Sequence, residues 1–410
     1  VRVVVSRSFF LALFILLQGL AVAAPQHVYL TWQGDTSTTM TVNYQTSAES
    51  SVSQVRYDTV ARSDLASYRF SATGTAHKVP GVADGRAVHN VELSGLEPGT
   101  AYYFVAGDPQ NGFSNEHKFR TIPQDDQALR FVSGGDMNVG KHTRRLLVQA
   151  GALDPLFALV GGDLAYVNGK TKNYAKWDQW LRAWQENMVT PDGFSVPMVL
   201  AIGNHEVEGG YGQSAAQAPF YYGYFAQAGA RAYFARRFGA NLVLYVLDSG
   251  HTAPHDGAQL EWLASTMHQT RDVPYRFALY HVPLYPGFRS PQDPYAVAGR
   301  QHWRPLFDQY RLTTAFENHD HVLKRSKLLR NDQVDEAGTL YLGDGCFGKP
   351  TRFLRGPRRE DRTKRWYIAH SASVPHFWLV DLSAEKVVFK GVDEHGAVVD
   401  EYELPRPVTP

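Results

Sequence analysis

The chain has 410 residues, 41 Lys and Arg against 40 Asp and Glu for a formal net charge of +1, and 13% aromatic residues, with 22 Tyr and 22 Phe. It is longer than one typical domain and long enough to bury a large core, which excludes a disordered linker. The balanced charge gives no reason to expect nucleic acid or an anionic membrane as a partner.

Arg2 and Arg7 precede an apolar run from Phe9 to Leu17, then Leu20-Ala21-Val22-Ala23-Ala24, with the small residues of a signal-peptidase site. Residues 1–23 read as a signal peptide cut after Ala23, since Pro25 disfavours cleavage directly before it. Gln18 and Gly19 interrupt the apolar stretch, and no later segment approaches the length of a membrane span. The expectation is a secreted or periplasmic protein with no stable membrane insertion after cleavage; the alternative is an uncleaved anchor. Cys346 is the sole cysteine, so no internal disulfide forms. It reads as a small buried hydrophobe rather than a catalytic thiol.

From 24 to 122, short period-two runs alternate with polar, glycine-containing turns, the pattern of an all-β sandwich. Seven strands are expected: Val28–Trp32, Met40–Tyr44, Gln54–Tyr57, His77–Val79, Ala87–Leu93, Ala101–Ala106 and Glu116–Arg120. Leu96-Glu97-Pro98-Gly99-Thr100-Ala101-Tyr102 resembles the Leu-x-Pro-x-Thr-x-Tyr segment of fibronectin type III modules, in which the tyrosine hydroxyl ties a sheet corner to nearby backbone. No catalytic cluster occurs here, so the module reads as a spacer or docking platform, followed by a linker from Thr121 to Asp126.

From 127 to 405 the grammar is strand, loop, helix. Leu129–Ser133 runs into Gly135-Asp136, Phe157–Val160 into Gly162-Asp163-Leu164-Ala165-Tyr166, and Met198–Ile202 into Gly203-Asn204-His205-Glu206. Leu242–Leu247 ends at Asp248, Phe277–Tyr280 at His281, and His319-Asp320-His321 follows downstream. Helices are expected over Tyr174–Met188, with Trp177, Leu181 and Trp184 at helical spacing, and over Gln259–His268. Phe377–Asp381, Lys386–Gly391 and Ala397–Tyr402 read as closing strands. Strands that deliver polar residues at their carboxyl ends build one pocket from many loops.

These residue types suit a two-metal site. Two cations about 3.5–4 Å apart repel, and a bridging carboxylate offsets the repulsion while fixing their spacing. Imidazoles complete the coordination, a phenolate suits a ferric ion, and a bound water is acidified to a hydroxide. The glycines before Asp136, Asp163 and Asn204 read as making room for backbone to approach the metals.

Together the five blocks resemble those of the purple acid phosphatases, within the metallophosphoesterase superfamily, over roughly Leu129 to Leu404. The resemblance implies a C-terminal α/β metallophosphoesterase domain, a two-sheet β-sandwich flanked by helices, behind the fibronectin III-like sandwich. It implies Asp136, Tyr166 and His321 on Fe(III), Asn204, His281 and His319 on a second divalent metal (Fe, Zn or Mn), and Asp163 as the bridge. His205 would contact phosphate and protonate the leaving group. The substrate would be a small phosphate monoester, attacked by a metal-bound hydroxide. Met137-Asn138 and Asn318 depart from the family's usual Asp-x-Gly and Gly-His-x-His, and only His302 lies between Val282 and Asn318 where plant members place further histidines. Arg289 and Tyr285, near His281 in sequence, are possible substitutes, and Asn138, Arg289 and His302 are the candidate substrate contacts.

Two alternatives stand beside this reading: a phosphodiesterase or nucleotidase on the same scaffold, and an extracellular binding protein with an inactive phosphoesterase domain. The basic stretch Lys349–Arg365 reads first as a solvated loop and second as a rim attracting phosphorylated substrates. Phe353 and Trp366 flank it without interleaving, which gives no nucleic-acid signature. His142, His251, His255, His268, His370 and His376 fit no block and read as surface or packing residues; Asp248 reads as a turn cap or a support for the site.

Overall fold

The computed structural model describes residues 25–46, 52–343, 345–353 and 365–407, so the segment read as a signal peptide lies outside the described residues. Among the described residues no helix is long and apolar enough to cross a membrane.

The front module is a two-sheet sandwich. One sheet orders Gln26–Thr31, Thr39–Thr46, Ala87–Ser94 and Thr75–His77; the other orders Phe70–Thr73, Gln54–Asp58, Ala101–Asp108 and Gly112–Phe113, with His117–Arg120 also on Ala101–Asp108. The fourth expected strand sits two residues earlier than its pattern suggested. Phe70–Thr73 and Gly112–Phe113 are additional strands, too exposed or too short for a period-two signal. The Tyr102 hydroxyl accepts a hydrogen bond from the Glu97 N–H at 2.8 Å, the corner tie expected from the motif.

Behind it, two sheets pack face to face. The first orders Met198–Leu200, Phe157–Val160, Leu129–Gly134, His376–Leu382, Lys386–Asp393 and Val398–Pro405, its first three strands parallel and its last three the closing strands expected from sequence. The second orders Phe234–Phe238, Leu242–Val246, Tyr275–Leu279, Thr314–Phe316, Leu340–Gly343, Leu323–Ser326 and Ile368–Ala372, parallel from Leu242–Val246 through Leu340–Gly343. Phe131, Leu159, Leu244, Phe277, Phe316 and Phe389 fill the space between the sheets. Alternate residues on the same strands face outward. Val132 and Ala158 meet helices α1 (Lys141–Ala152) and α2 (Tyr174–Asn187) through Leu146, Trp177 and Trp184, whereas Tyr245 and Ala278 meet α3 (Gly257–Gln269) through Leu263, α5 (Arg304–Gln309) through Phe307, and Trp303, the residue between α4 (Pro294–His302) and α5. The result is a helix–sheet–sheet–helix arrangement with the carboxyl ends of all the parallel strands along one edge.

The front sandwich is joined to this body by a continuous core, not tethered as a spacer. Trp32 lies edge-on to Phe157 and Phe238, with ring centroids 6.4 and 5.7 Å away. Thr31, Thr36 and Tyr29 donate hydroxyl hydrogen bonds to the carbonyls of Ala226, Arg237 and Tyr224. The expected linker takes part, since Ile122 is fully buried and donates its N–H to Thr36. Arg86 reaches across to α2 and pairs through Nη1 and Nη2 with the two carboxylate oxygens of Asp178.

That ion pair predicts a pH signature. Burial opposes ionisation of Asp178, but its bonds to Arg86 and then His27 prevail and hold the carboxyl down at about 2, below its ordinary 3.8. A carboxyl depressed by folding stabilises the native state above its unfolded pKa and loses that contribution as pH falls through the folded one. Asp178→Asn is expected to lower stability above pH 4, and the difference from wild type is expected to shrink between pH 4 and 2 in denaturant titrations.

Candidate metal centre

The residues expected to bind metal stand at or just beyond strand ends on that edge, and their backbones are unusual. Asp136, Asp163, Tyr166, His319 and His321 all have φ between 55° and 75°. Side-chain-bearing residues rarely adopt this left-handed region, and it clusters at functional sites where the surroundings over-determine it. Here main-chain hydrogen bonds do so: Asp136, Met137 and Asn138 donate to the carbonyls of Gly162, Asp163 and Leu164, zipping two of the loops together.

The side chains gather in two adjoining groups. In the first, Asp136 Oδ1 lies 3.0 Å from both the Tyr166 hydroxyl and His321 Nε2, which are 3.2 Å from each other. In the second, His281 Nε2 lies 3.2 Å from Asn204 Oδ1, 3.0 Å from His319 Nδ1 and 3.3 Å from Asp163 Oδ2. Asp163, His281 and His319 offer ligand atoms all within 4.8 Å of one another. His205 sits at the open side, about one third exposed, with Nε2 3.8 Å from Asp163 Oδ2 and Nδ1 bonded to Asn168 Oδ1. All seven expected ligands and His205 are therefore brought together.

Left to themselves these groups titrate against one another. Burial alone would raise the Asp163 carboxyl, but the charge and hydrogen bond of His281, with His205 and His319, reverse that and hold it well below the carboxylate range. Burial disfavours charge on His281, yet Asp163 and Asp136 raise it to about 9. Burial, then the charge on His281, pushes His319 far down. Burial, then Asp136 and Asp163, keeps the Tyr166 phenol protonated. A proton shared among carboxylates and imidazoles does what a cation seated among the same atoms would do, and this oxygen and imidazole donor set fits hard or borderline metal ions.

Several supporting residues escaped the sequence reading. Glu206, fully buried, accepts from the N–H groups of Gly203, Asp163 and Leu164 at 2.9, 2.7 and 2.8 Å, fastening two loops to each other. Burial, then the charge on Asp163, lifts its carboxyl to about 8 against those donors. Its signal was its place beside His205 in a block already singled out. Asp248, read from the sequence as a turn cap or a support for the site, caps a turn by accepting from the N–H groups of His251, Thr252 and Ala253. That turn sets His251, fully buried, against His281 and Tyr211 with ring centroids 5.6 and 4.8 Å away. The Tyr211 hydroxyl comes within 3.4 Å of His319 Nε2. Behind His319, the fully buried Lys324 ammonium pairs with the fully buried Glu317 carboxylate, which also accepts from the Tyr280 hydroxyl and the Leu284 N–H.

The glycines act differently from the expectation. A Cβ on Gly203 would come within 2.4 Å of Asp163 Oδ1, one on Gly162 within 2.6 Å of Gly203 N, and one on Gly135 within 2.5 Å of Asn318 Oδ1. They make room for neighbouring loops and for Asn318, whose amide donates to the Tyr280 carbonyl at 3.0 Å. Of the candidate substrate contacts, Asn138 has its Oδ1 buried with no hydrogen-bond partner, and Arg289 lies 3.4 Å from Asp320. His302 is not among the converging side chains. It lines a cavity of about 490 Å³ with Gln213, Thr252, His255 and Tyr295, and Tyr295 stacks on Tyr211 at 4.1 Å.

Comparison with known proteins agrees with this architecture. The family described as calcineurin-like phosphoesterase matches residues 98–323, and the purple acid phosphatase N-terminal domain matches residues 25–121. The chain is similar to purple acid phosphatases 15 and 23 of Arabidopsis thaliana, at 26% and 28% identity over 63% of this chain in each case. It spans only 53% and 62% of their lengths. The structure of a purple acid phosphatase from yellow lupin (Lupinus luteus) seeds shares the fold, with a TM-score of 0.75 at 17% identity, covering 94% of this chain and 75% of that one.

Removing one partner of a buried ion pair leaves the other charge uncompensated. Lys324→Met is expected to cost about 3–5 kcal/mol of unfolding free energy in urea titrations, and Lys324→Met/Glu317→Gln is expected to recover part of it.

Proposed function

From its membership of the calcineurin-like phosphoesterase family, in the purple acid phosphatase branch, we propose that this chain is a secreted binuclear acid phosphatase acting on small phosphate monoesters. The observation that carries the reading is the meeting of two donor groups, Asp136–Tyr166–His321 and Asn204–His281–His319, joined by the His319 N–H on Asp136 Oδ2 at 2.7 Å, with Asp163 Oδ2 3.3 Å from His281 Nε2.

Asp136, Tyr166 and His321 would hold the ferric ion, Asn204, His281 and His319 a divalent iron, zinc or manganese, and Asp163 would bridge them. When bound, the two ions neutralise charge on the phosphoryl oxygens and make a water acidic enough to serve as nucleophile near neutral pH. The chain's own groups orient and move protons. His281 Nδ1 faces the Gly161 carbonyl at 2.8 Å, which turns Nε2 toward the centre. His205 is fixed by its N–H to Asp163 Oδ1 at 2.7 Å, by Asn168 on Nδ1, and by the Tyr166 ring 4.2 Å away. Its Nε2, 3.8 Å from Asp163 Oδ2, would pass a proton to the departing alkoxide from the imidazolium form, which burial disfavours and the Asp163 charge supports. Asn138 Oδ1, buried and unpaired, is ready to accept from a substrate hydroxyl or a protonated phosphoryl oxygen.

Asp163→Ala is expected to lose both metals by elemental analysis and to cut phenyl phosphate turnover more than about 100-fold; an active, metal-loaded variant rejects the assignment. Tyr166→Phe is expected to retain iron but lose visible phenolate-to-iron absorption, and colour that survives means another ligand. Faster turnover of bis(4-nitrophenyl) phosphate than of 4-nitrophenyl phosphate would favour a diesterase.

A further inference from the structure

Four cationic side chains stand in an arc around the mouth of this centre, and the main chain puts two of them there. The N–H of Lys349 donates to the Asp136 carbonyl at 2.9 Å, and that of Arg352 to the His321 carbonyl at 2.9 Å, so each cation is anchored to the backbone of a residue in the first donor group. Lys349 Nζ lies 3.7 Å from the centroid of the Tyr166 ring. Arg352 lies over the Phe288 ring at 5.2 Å. At one end of the arc, Lys176 of α2 approaches the Tyr166 carbonyl at 3.5 Å. At the other, Arg289 lies 3.4 Å from Asp320, with its Nε buried and without a hydrogen-bond partner. None of the four is fully exposed.

Residues 354–364 of the stretch read as a solvated loop lie outside the described residues, and Lys349 and Arg352 at its start are partly buried. Among the described residues no carboxylate lies within ion-pair distance of Lys349 or Arg352; aromatic faces are their neighbours instead. Half-buried like charges without partners destabilise a fold, and such an arrangement is retained where a ligand supplies the opposite charge. The reacting phosphoryl group would meet its positive charge at the metals, so the arc is spare positive charge just outside them.

We propose that Lys349, Arg352 and Arg289 bind a second anionic group on the substrate, so that the preferred substrates are phosphate esters whose alcohol half itself carries a phosphate or carboxylate. This rests on the phosphatase reading. Lys349 and Arg352 reach the second group with charge-assisted hydrogen bonds, and Arg352 and Arg289 present planar forks suited to phosphate or carboxylate oxygens.

The test compares phenyl phosphate, 4-carboxyphenyl phosphate and 1,4-phenylene bisphosphate with wild type, Lys349→Met/Arg352→Met and Lys349→Arg. In wild type, kcat/KM is expected to favour an anionic substrate over phenyl phosphate by about tenfold or more. The double variant is expected to lose most of that preference, chiefly through KM, and Lys349→Arg to keep it. Added salt is expected to reduce it in wild type. Whichever anionic substrate carries the larger gain identifies the second group; a preference absent in wild type, or undiminished in the double variant, overturns the proposal. Calorimetric binding of phenylphosphonate, 4-carboxyphenylphosphonate and 1,4-phenylenebisphosphonate reads the same preference without turnover. Anion-selective binding by a wild type that hydrolyses no ester would therefore support the arc while refuting the phosphatase reading.

Discussion

Charge with little access to water is the constraint around which the molecule is arranged. Asp136, Asp163 and Glu206 are at most 1% exposed, and His281 is fully buried beside them. Such groups are tolerated only when donors or opposite charges surround them. Most of the donors are main-chain N–H groups: His319 N–H on Asp136, His205 N–H on Asp163, and three on Glu206. The loops must take left-handed turns to aim those N–H groups inward, and glycines must let the loops approach each other. The ligand-bearing side chains are thus held chiefly by backbone, which is how loops far apart in the chain are kept in one geometry.

The sheets supply the other half of that precision. Parallel strands in both sheets end along the same edge, so Asp136, Asp163 and Asn204 come from one sheet while His281 and His319 come from the other. The phenylalanines between the sheets fix the separation of those two contributions. Lys324 and Glu317, a pair without solvent at the base of the His319 loop, tie the second sheet's contribution in place.

Much of this was legible in the chain because strand-end motifs carry both their position and their chemistry. An apolar run followed by Gly-Asp, Gly-Asn-His or a lone His states where a strand stops and what it delivers, and the parallel alternation states that the deliveries meet. The short exposed strands of the front sandwich were not legible, since Phe70–Thr73 turns only Ala72 toward the core. The supporting residues were hidden for a different reason. Nothing local distinguishes Glu206 as an acceptor for three N–H groups, two of which arrive only on folding, whereas Asp248 was legible as a turn cap because His251, Thr252 and Ala253 follow it closely in the chain. The run dense in Lys and Arg reads first as a solvated loop and only second as a rim for phosphorylated substrates, and the hydrogen bonds of Lys349 and Arg352 to Asp136 and His321 draw its beginning to the site.

The contact of Trp32 with Phe157 and Phe238 bears on how the protein is made. A chain that emerges amino terminus first, from a ribosome or through a membrane pore, presents its front sandwich long before the covering rings exist. At translation speeds of about 5–20 residues per second, the indole would wait roughly 10–40 s for Phe238. During that interval an apolar flank of the nascent molecule is open to holdases or to other chains. Final maturation of the first module is thus a late event, coupled to the arrival of the second.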